Sequence, residues 1–170
     1  MASYISPFGY QKIVDEYDFL VNRERPRITA EVGWAASLGD RSENSEYIYG
    51  KQRLREIDRR LRFLRERLDK LTPLDPMSFE GDRITFGATA DIEDEDGKHQ
   101  TWTILGEDEV DLKAGVISYV SPIGKALLGK AVGESATFQS PGGAREVYVL
   151  AVRREPRPAV PTPEAVGDKP

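Results

Sequence analysis

The most regular pattern in the chain is a series of apolar residues separated by alternating steps of three and four positions. This spacing puts them on one face of a helix, and most residues between them are charged, as a solvated face requires. An apolar seam that keeps a seven-residue repeat predicts one strand of a coiled coil. The seam residues are Leu54, Ile57, Leu61, Leu64, Leu68 and Leu71.

A first helix is expected upstream, beginning near Ser6 and Pro7, because serine is a good N-cap and proline suits the first helical position. Its seam is less regular, and Pro26 should kink the helix or begin a new segment. Gly39 is expected to end the helix, and the short loop that follows makes the two helices antiparallel. The heptad positions of this first helix are Val14, Val21, Ile28 and Ala35.

Beyond Pro73 and Pro76 the apolar residues alternate with polar ones, which predicts strands instead of helices. A turn at residues 94–97, in which Gly97 supplies a positive φ, joins two of these strands into a hairpin. The expected strands cover residues 83–92, 99–105, 116–120, 136–139 and 146–152, and a short helix covers residues 123–128.

These patterns predict an α+β fold in two domains. An N-terminal antiparallel coiled-coil hairpin covers residues 1–76, with a linker at residues 72–76. An antiparallel sheet domain with one short helix covers residues 77–153. Residues 154–170 are rich in proline, and we expect this tail to be disordered. Because the seam is consumed by pairing within the hairpin, we expect a monomer.

Composition excludes several classes of function. The chain has 170 residues, no cysteine and one histidine, so thiolate zinc sites, disulfides and a cysteine nucleophile are excluded, and a Ser-His-Asp triad would need His99. The formal net charge of -5 does not suggest a general nucleic-acid binder. The chain shows neither an apolar run of the roughly 18 residues that would span a membrane nor a signal-peptide pattern. We therefore expect a cytoplasmic protein.

The turn between the two helices is acidic, with Asp40, Glu43 and Glu46 within seven residues. Carboxylates on a turn can hold Mg²⁺, which takes one or two carboxylates and keeps several waters. The same spacing also resembles a capping box, in which Asp40 opens a helix and Glu43 lies three residues later. Spacing alone favours the capping interpretation, and the two roles are compatible.

The second helix is strongly basic, since residues 51–70 hold nine basic and four acidic side chains. Such a stripe behind an acidic tip would attract a phosphate backbone. The alternative is an ordinary solvated face that carries ion pairs between residues one turn apart. Both interpretations stay open on composition alone.

Four stretches resemble the bacterial transcript cleavage factor family GreA/GreB, with a closer resemblance to GreB. The most specific one places a Gly-Asp-Arg-Ser-Glu-Asn run at the tip of a coiled coil. The proline-rich tail has no counterpart in the family, and Val120 stands where family members often carry Asp or Asn. The matching stretches are residues 24–26, 34–44, 53–60 and 121–128.

The resemblance implies a partner and a mechanism. The C-terminal domain of this chain would be FKBP-like in fold and would dock on the outside of bacterial RNA polymerase. The contact would be made by Ser121 and Pro122 with the beta-prime subunit, at the rim of the secondary channel. The coiled coil would enter that channel. There Asp40 and Glu43 would help hold a second Mg²⁺ in the polymerase active site, without binding it stably alone.

The resemblance also implies that the chain is not itself an enzyme. It would stimulate the polymerase's own endonucleolytic cleavage of the RNA 3′ end in backtracked, arrested complexes. The extruded RNA would contact the basic stripe, for which the candidates are Arg53, Arg59 and Arg60.

Three other functions are compatible with these patterns. The first is a secondary-channel regulator that binds polymerase without stimulating cleavage, which the intact Asp40 and Glu43 argue against. The second is a prolyl isomerase or chaperone, suggested only by analogy of fold. The third is a coiled-coil adaptor in which the acids of the tip serve only as caps.

Overall fold

The structure, a computed structural model, describes residues 3–39 and 44–156. Within these ranges the chain forms two compact units. The hairpin unit contains residues 11–39 and 44–70, and the sheet unit contains residues 3–10 and 71–156. Residues 3–10 and 71–76, which the sequence pattern places with the hairpin, group by their contacts with the sheet. The proline-rich tail beyond Pro156 lies outside the described residues.

The hairpin unit has one arm built from three consecutive helical segments and one arm built from a single helix. Helix α1 (Pro7–Phe19) continues through a π-helical turn (Leu20–Glu24) into α2 (Arg25–Ser37). Helix α3 (Ser45–Lys70) forms the second arm. The predicted N-terminal helical hairpin is therefore confirmed. Its buried seam consists of Leu20, Ile28, Ile57 and Leu64, with Ile13, Tyr17, Val32, Leu54 and Leu61 packed against it.

The π-helical turn changes which residues of the first arm face the seam. Ile28 and Ala35 are buried as predicted, but Leu20 takes the place expected for Val21; Leu20 is 7% exposed and Val21 38%. The N–H of Arg25 donates to the carbonyl of Leu20, five residues back, so this turn contains one residue more than an α-helical turn. Upstream of the turn the seam therefore shifts by one position, which also brings Ile13 into contact in place of Val14.

Pro26 explains where this turn lies. Proline has no N–H to donate and its ring crowds the carbonyl of the preceding turn, so an uninterrupted α-helix is disfavoured there. The chain widens into the π-helical turn before Pro26, and α2 begins at Arg25 with the proline in its first turn. The expected new segment at Pro26 is therefore present.

Leu71 is not part of the coiled-coil seam. Helix α3 ends at Lys70, and Leu71 is buried in strand β2 (Leu71–Pro73), which pairs in parallel with β1 (Ser3–Ile5). The N–H of Leu74 continues the pairing by donating to the carbonyl of Ile5 at 2.8 Å. The segment expected to be a linker is thus partly a strand.

Glu109 fixes the start of the chain to the sheet unit. One carboxylate oxygen accepts the N–H groups of Ser6 and Gly106, at 3.1 and 3.0 Å, and the other is hydrogen-bonded to the hydroxyl of Ser6. Ser6 is buried, and its Oγ also accepts the N–H of Gly9 at the start of α1. A buried polar group of this kind is tolerated because every donor and acceptor around it is paired.

The second unit contains a five-stranded sheet in the order β5-β4-β3-β7-β6. Its elements are β3 (Thr89–Asp94), β4 (His99–Leu105), β5 (Val116–Ser118), α4 (Pro122–Leu127), β6 (Ser135–Ser140) and β7 (Gly143–Arg153). The α+β class is confirmed, and α4 is the one α-helix within residues 71–156, beside two 3₁₀ turns at Pro76–Ser78 and Glu107–Glu109. The sheet is mixed rather than antiparallel, because β5 pairs in parallel with β4. Ten residues, 106–115, join these two parallel strands, and they include a 3₁₀ turn at Glu107–Glu109.

Strand β3 begins later than the alternation suggested. Residues 83–88 form no strand, although Ile84, Phe86 and Ala88 are buried. Gly87 interrupts the extended backbone with a φ of 81°, and a Cβ there would lie 2.3 Å from Pro76. The alternation of apolar residues therefore predicted correctly which side chains are buried, but it did not predict that residues 83–88 lack strand conformation. Across the described residues, none of the helices is both long and apolar enough to cross a membrane.

The shifted seam predicts opposite outcomes for two neighbouring residues. Leu20→Ala should lower the free energy of unfolding by about 2–4 kcal/mol, because it leaves a cavity in the seam. Val21→Ala, the matched control one position away, should change it by no more than about 0.5 kcal/mol, because Val21 is partly solvated. Urea unfolding followed by circular dichroism at 222 nm measures both. A larger loss for Val21→Ala would contradict the π-shifted register.

Candidate functional site

Asn44 ties the two arms of the hairpin together at the tip. Its Oδ1 accepts the N–H of Tyr47 at 3.2 Å, and its backbone carbonyl accepts the N–H of Ile48, so it is the N-cap of α3. Its Nδ2 donates to the carbonyl of Ala35 in α2 at 2.8 Å. One side chain thus serves the start of one helix and the end of the other.

The end of α2 is similarly well defined. The N–H of Leu38 donates to the carbonyl of Ala35, and the hydroxyl of Ser37 donates to the carbonyl of Trp34. Gly39 follows with a φ of 109°, a conformation that glycine adopts readily and that commonly ends helices. Gly39 and Asn44 are therefore the two fixed ends of the four-residue stretch that carries the predicted acids.

Asp40 and Glu43 themselves lie outside the described residues, so the two predicted catalytic and metal-ligating positions stay predictions. The structure does bear on the alternative that Asp40 opens the second helix. That helix begins at Ser45, and Asn44 supplies its cap. Since the cap of α3 is already filled, Asp40 is not required for it.

Close packing brings the arms together just behind the tip. Gly50 of α3 is buried against α2, and a Cβ at this position would lie 2.5 Å from Cγ2 of Val32. Ala35, the next seam residue toward the tip, is also buried and small. Small residues at facing positions let two helix backbones approach closely. This approach keeps α2 and α3 near enough for the side chain of Asn44 to reach the carbonyl of Ala35.

Two of the three arginines predicted to contact RNA are ion-paired within the hairpin unit. Arg60 binds both carboxylate oxygens of Glu16, at 2.8 and 2.9 Å, and this hydrogen bonding raises the pKa of Arg60. Arg53 lies 3.2 Å from Glu56 and 3.8 Å from Glu24. The alternative of ion pairing therefore accounts for part of the basic stripe.

Arg59 behaves differently, because it is exposed and forms no ion pair with any described residue. Several other exposed cations of α3 also form no ion pair with a described residue, and three of them lie with Arg59 along one side of the helix. Their spacing of three or four residues gives a continuous strip that the acids of the first arm do not neutralise. Sequence reasoning counted these three cations but did not select them, since it could not tell which cations the first arm would pair. The free strip consists of Lys51, Arg55, Arg59 and Arg62.

In the sheet unit, Ser121 and Pro122 form the start of α4. The hydroxyl of Ser121 donates to the carbonyl of Ser118 at 2.6 Å and accepts the N–H of Gly124 at 3.1 Å. Pro122 is exposed in the first turn, beside the exposed Val120. A Cβ at Gly124 would lie 2.1 Å from the carbonyl oxygen of Ser118, so the loop needs glycine there. The hydrogen bonds of Ser121 hold the shape of this loop, and its role in docking stays a prediction.

Among residues 3–39 and 44–156, no cluster of three or more His, Cys, Asp or Glu side chains could hold a metal ion. His99 lies 3.7 Å from Glu93 at the exposed end of a strand pair, without a second ligand of this kind. A metal role in the described part of the chain is therefore not supported.

Two family models cover nearly the whole described chain. The model of the N-terminal domain of transcription elongation factors matches residues 3–72, and the model of the GreA/GreB C-terminal domain matches residues 80–154. This chain belongs to the GreA/GreB transcription elongation factor family. The family assignment made from the motifs is thus confirmed.

Several GreB proteins are similar to this family member over most of their length. The transcription elongation factor GreB of Neisseria meningitidis serogroup B is 45% identical over 88% of this chain and 93% of its own. GreB of Yersinia pestis is 43% identical over 91% of each chain. GreA factor homolog 1 of Thermus thermophilus, which has a crystal structure, is 24% identical in sequence to this chain. The two structures have a TM-score of 0.41, and the match covers 90% of this chain and 99% of that chain.

The double role of Asn44 in this GreA/GreB family member can be separated by substitution. Asn44→Ala removes both the cap and the bridge and should lower the free energy of unfolding by about 1–2 kcal/mol. Asn44→Asp keeps an acceptor for the cap but loses the donor to Ala35, so it should cost less than Asn44→Ala. Ser45→Ala, at an exposed neighbouring position, is the control. Equal stability of Asn44→Ala and Ser45→Ala in urea unfolding would show that the bridge contributes nothing.

Proposed function

We propose that this protein is a transcript cleavage factor that enters the secondary channel of RNA polymerase and stimulates the polymerase to cleave the RNA 3′ end in backtracked complexes. The observation that carries this proposal is the tip, where Asn44 caps α3 and bridges to α2. Asp40 and Glu43 then lie on a four-residue span with fixed ends and are not needed as the cap of that helix. Membership of the GreA/GreB family supports the same role.

The chemistry of the tip accounts for a factor that has no activity alone. Mg²⁺ dehydrates reluctantly and binds weakly to one or two exposed carboxylates. When bound beside a first ion, it supplies the second positive charge of a two-metal phosphodiester cleavage site. The part of Asp40 and Glu43 is to add oxygen ligands and to orient a water molecule. Their effect therefore depends on a metal already held by the polymerase.

The free strip on α3 suits the path of the extruded RNA. Lys51, Arg55, Arg59 and Arg62 run along one face behind the tip without carboxylate partners among the described residues. A row of unpaired cations attracts a phosphate backbone without reading its sequence. Of the arginines predicted from the sequence, Arg59 has the strongest structural support. Arg53 and Arg60 would first have to leave Glu24, Glu56 and Glu16.

The loop at Ser121 and Pro122 is the proposed contact with the rim of the channel, on the beta-prime subunit. The exposed Pro122 and Val120 give this loop an apolar surface, and the hydrogen bonds of Ser121 hold its shape. A preformed loop loses little conformational entropy when it binds.

The proposal is tested with a backtracked RNA polymerase complex that carries RNA labelled near its 3′ end. The wild-type protein should release short RNA fragments at a rate well above the intrinsic one. Asp40→Ala and Glu43→Ala should reduce this stimulation by about 100-fold or more, because each removes a ligand and water-orienting group used in the transition state. Their affinity for polymerase should stay within about 2-fold of wild type.

Glu66→Gln, which removes one exposed acidic charge elsewhere on α3, serves as the control and should cleave like the wild type. Full cleavage by Asp40→Ala would contradict the assignment of the tip acids. Binding of the wild type without any fragment release would indicate a secondary-channel regulator that does not cleave.

A further inference from the structure

Two aromatic side chains near the tip contribute little to the packing of the hairpin. Trp34 in α2 is 62% exposed and Tyr49 in α3 is 66% exposed, although both belong to helices that bury their neighbours. The seam at this level consists instead of Val32, Ala35 and Gly50. Large aromatic side chains that a protein leaves in water beside a complete core commonly mark a binding surface.

Trp34 and Tyr49 line one open groove together with two carboxylates. The groove has a volume of about 570 Å³, and its remaining lining residues are Ala30, Glu31 and Glu46. One oxygen of Glu31 accepts a hydrogen bond from Arg27 at 2.7 Å, which leaves the other oxygen available. Glu46 forms no ion pair with any described residue. The groove therefore combines aromatic faces with net negative charge.

We propose that this groove, between Trp34 and Tyr49, binds an arginine or lysine side chain of RNA polymerase. The inference rests on the proposed function, which supplies the partner. Aromatic faces attract cations, tryptophan most strongly. A carboxylate adds charge-assisted hydrogen bonds, which a guanidinium can make in pairs. An aromatic surface flanked by Glu31 and Glu46 is thus complementary to a cationic side chain in both shape and charge.

The same features disfavour RNA as the occupant. A nucleobase could stack on Trp34 or Tyr49, but its phosphates would then approach the two carboxylates and be repelled. The unpaired cations that suit a phosphate backbone lie elsewhere on α3, from Lys51 to Arg62. The hairpin therefore has an acidic aromatic groove for protein and a separate basic strip for RNA.

The experiment measures the affinity of the full chain for core RNA polymerase without nucleic acid. The chain has no native cysteine, so Lys98→Cys, in the exposed turn of the sheet unit, accepts a single fluorescent label for anisotropy. Trp34→Ala should weaken binding by about 5- to 30-fold, and Tyr49→Ala by about 3- to 10-fold. Trp34→Phe should recover part of the loss, because it restores an aromatic face.

The charge of the groove is tested by salt. Glu46→Gln should weaken binding by about 2- to 5-fold and should reduce the dependence of affinity on KCl concentration, because it removes one side of an ion pair. Phe19→Ala, an exposed aromatic on the first arm outside the groove, is the matched control and should bind like wild type.

The outcomes separate this inference from the proposed function. At saturating concentration, Trp34→Ala should cleave backtracked RNA at a rate within about 2-fold of wild type, since Asp40 and Glu43 are intact. If Trp34→Ala loses affinity for polymerase while the wild-type protein binds but does not stimulate cleavage, the groove is supported and the proposed cleavage function is contradicted. Unchanged affinity for core polymerase would overturn the groove as a cation site. If Trp34→Ala then lost affinity only for the complex containing extruded RNA, the occupant would be a nucleobase.

Discussion

The two arms of the hairpin share one apolar seam, and the π-helical turn at Leu20–Glu24 keeps that seam continuous past Pro26. Without the additional residue in this turn, Val14 and Val21 would face the seam in place of Ile13 and Leu20. The turn therefore determines which face of α1 meets α3. After the turn, α2 is a regular α-helix that packs against α3 as far as the tip. There the seam consists of the smaller residues Val32, Ala35 and Gly50.

At the end of the seam, apolar packing is replaced by hydrogen bonds. Asn44 caps α3 and reaches back to the carbonyl of Ala35, so the four residues that carry Asp40 and Glu43 begin and end at fixed points. The charges on the arms are also divided, with acids of the first arm pairing Arg53 and Arg60 while Arg59 stays free. The basic side chains of α3 are thus divided into ion-paired and unpaired groups among the described residues.

Sequence patterns predicted this architecture well where one interaction dominated. The seam of α3 from Leu54 to Leu64 follows from periodicity, and β4 was predicted at the bounds that the structure has. The prediction that Val21 faces the seam was wrong, and so was the prediction that the sheet is entirely antiparallel. Neither a π-helical turn nor a parallel connection leaves a periodic pattern of apolar residues in the sequence. The sequence also could not predict which cations of the basic stripe are ion-paired, because a pair such as Arg60 and Glu16 joins residues far apart in the chain. The tip acids were identified by motif, and their geometry lies outside the described residues.

We propose that Asp40 and Glu43 complete a metal site that the polymerase holds only in part. The most direct measurement is the rate of RNA cleavage in a backtracked complex as a function of Mg²⁺ concentration, with and without this protein. We expect the protein to lower the Mg²⁺ concentration for half-maximal cleavage, and we expect Asp40→Asn to abolish this shift while binding persists. A faster reaction with an unchanged Mg²⁺ midpoint, or an equal shift with Asp40→Asn, would contradict it.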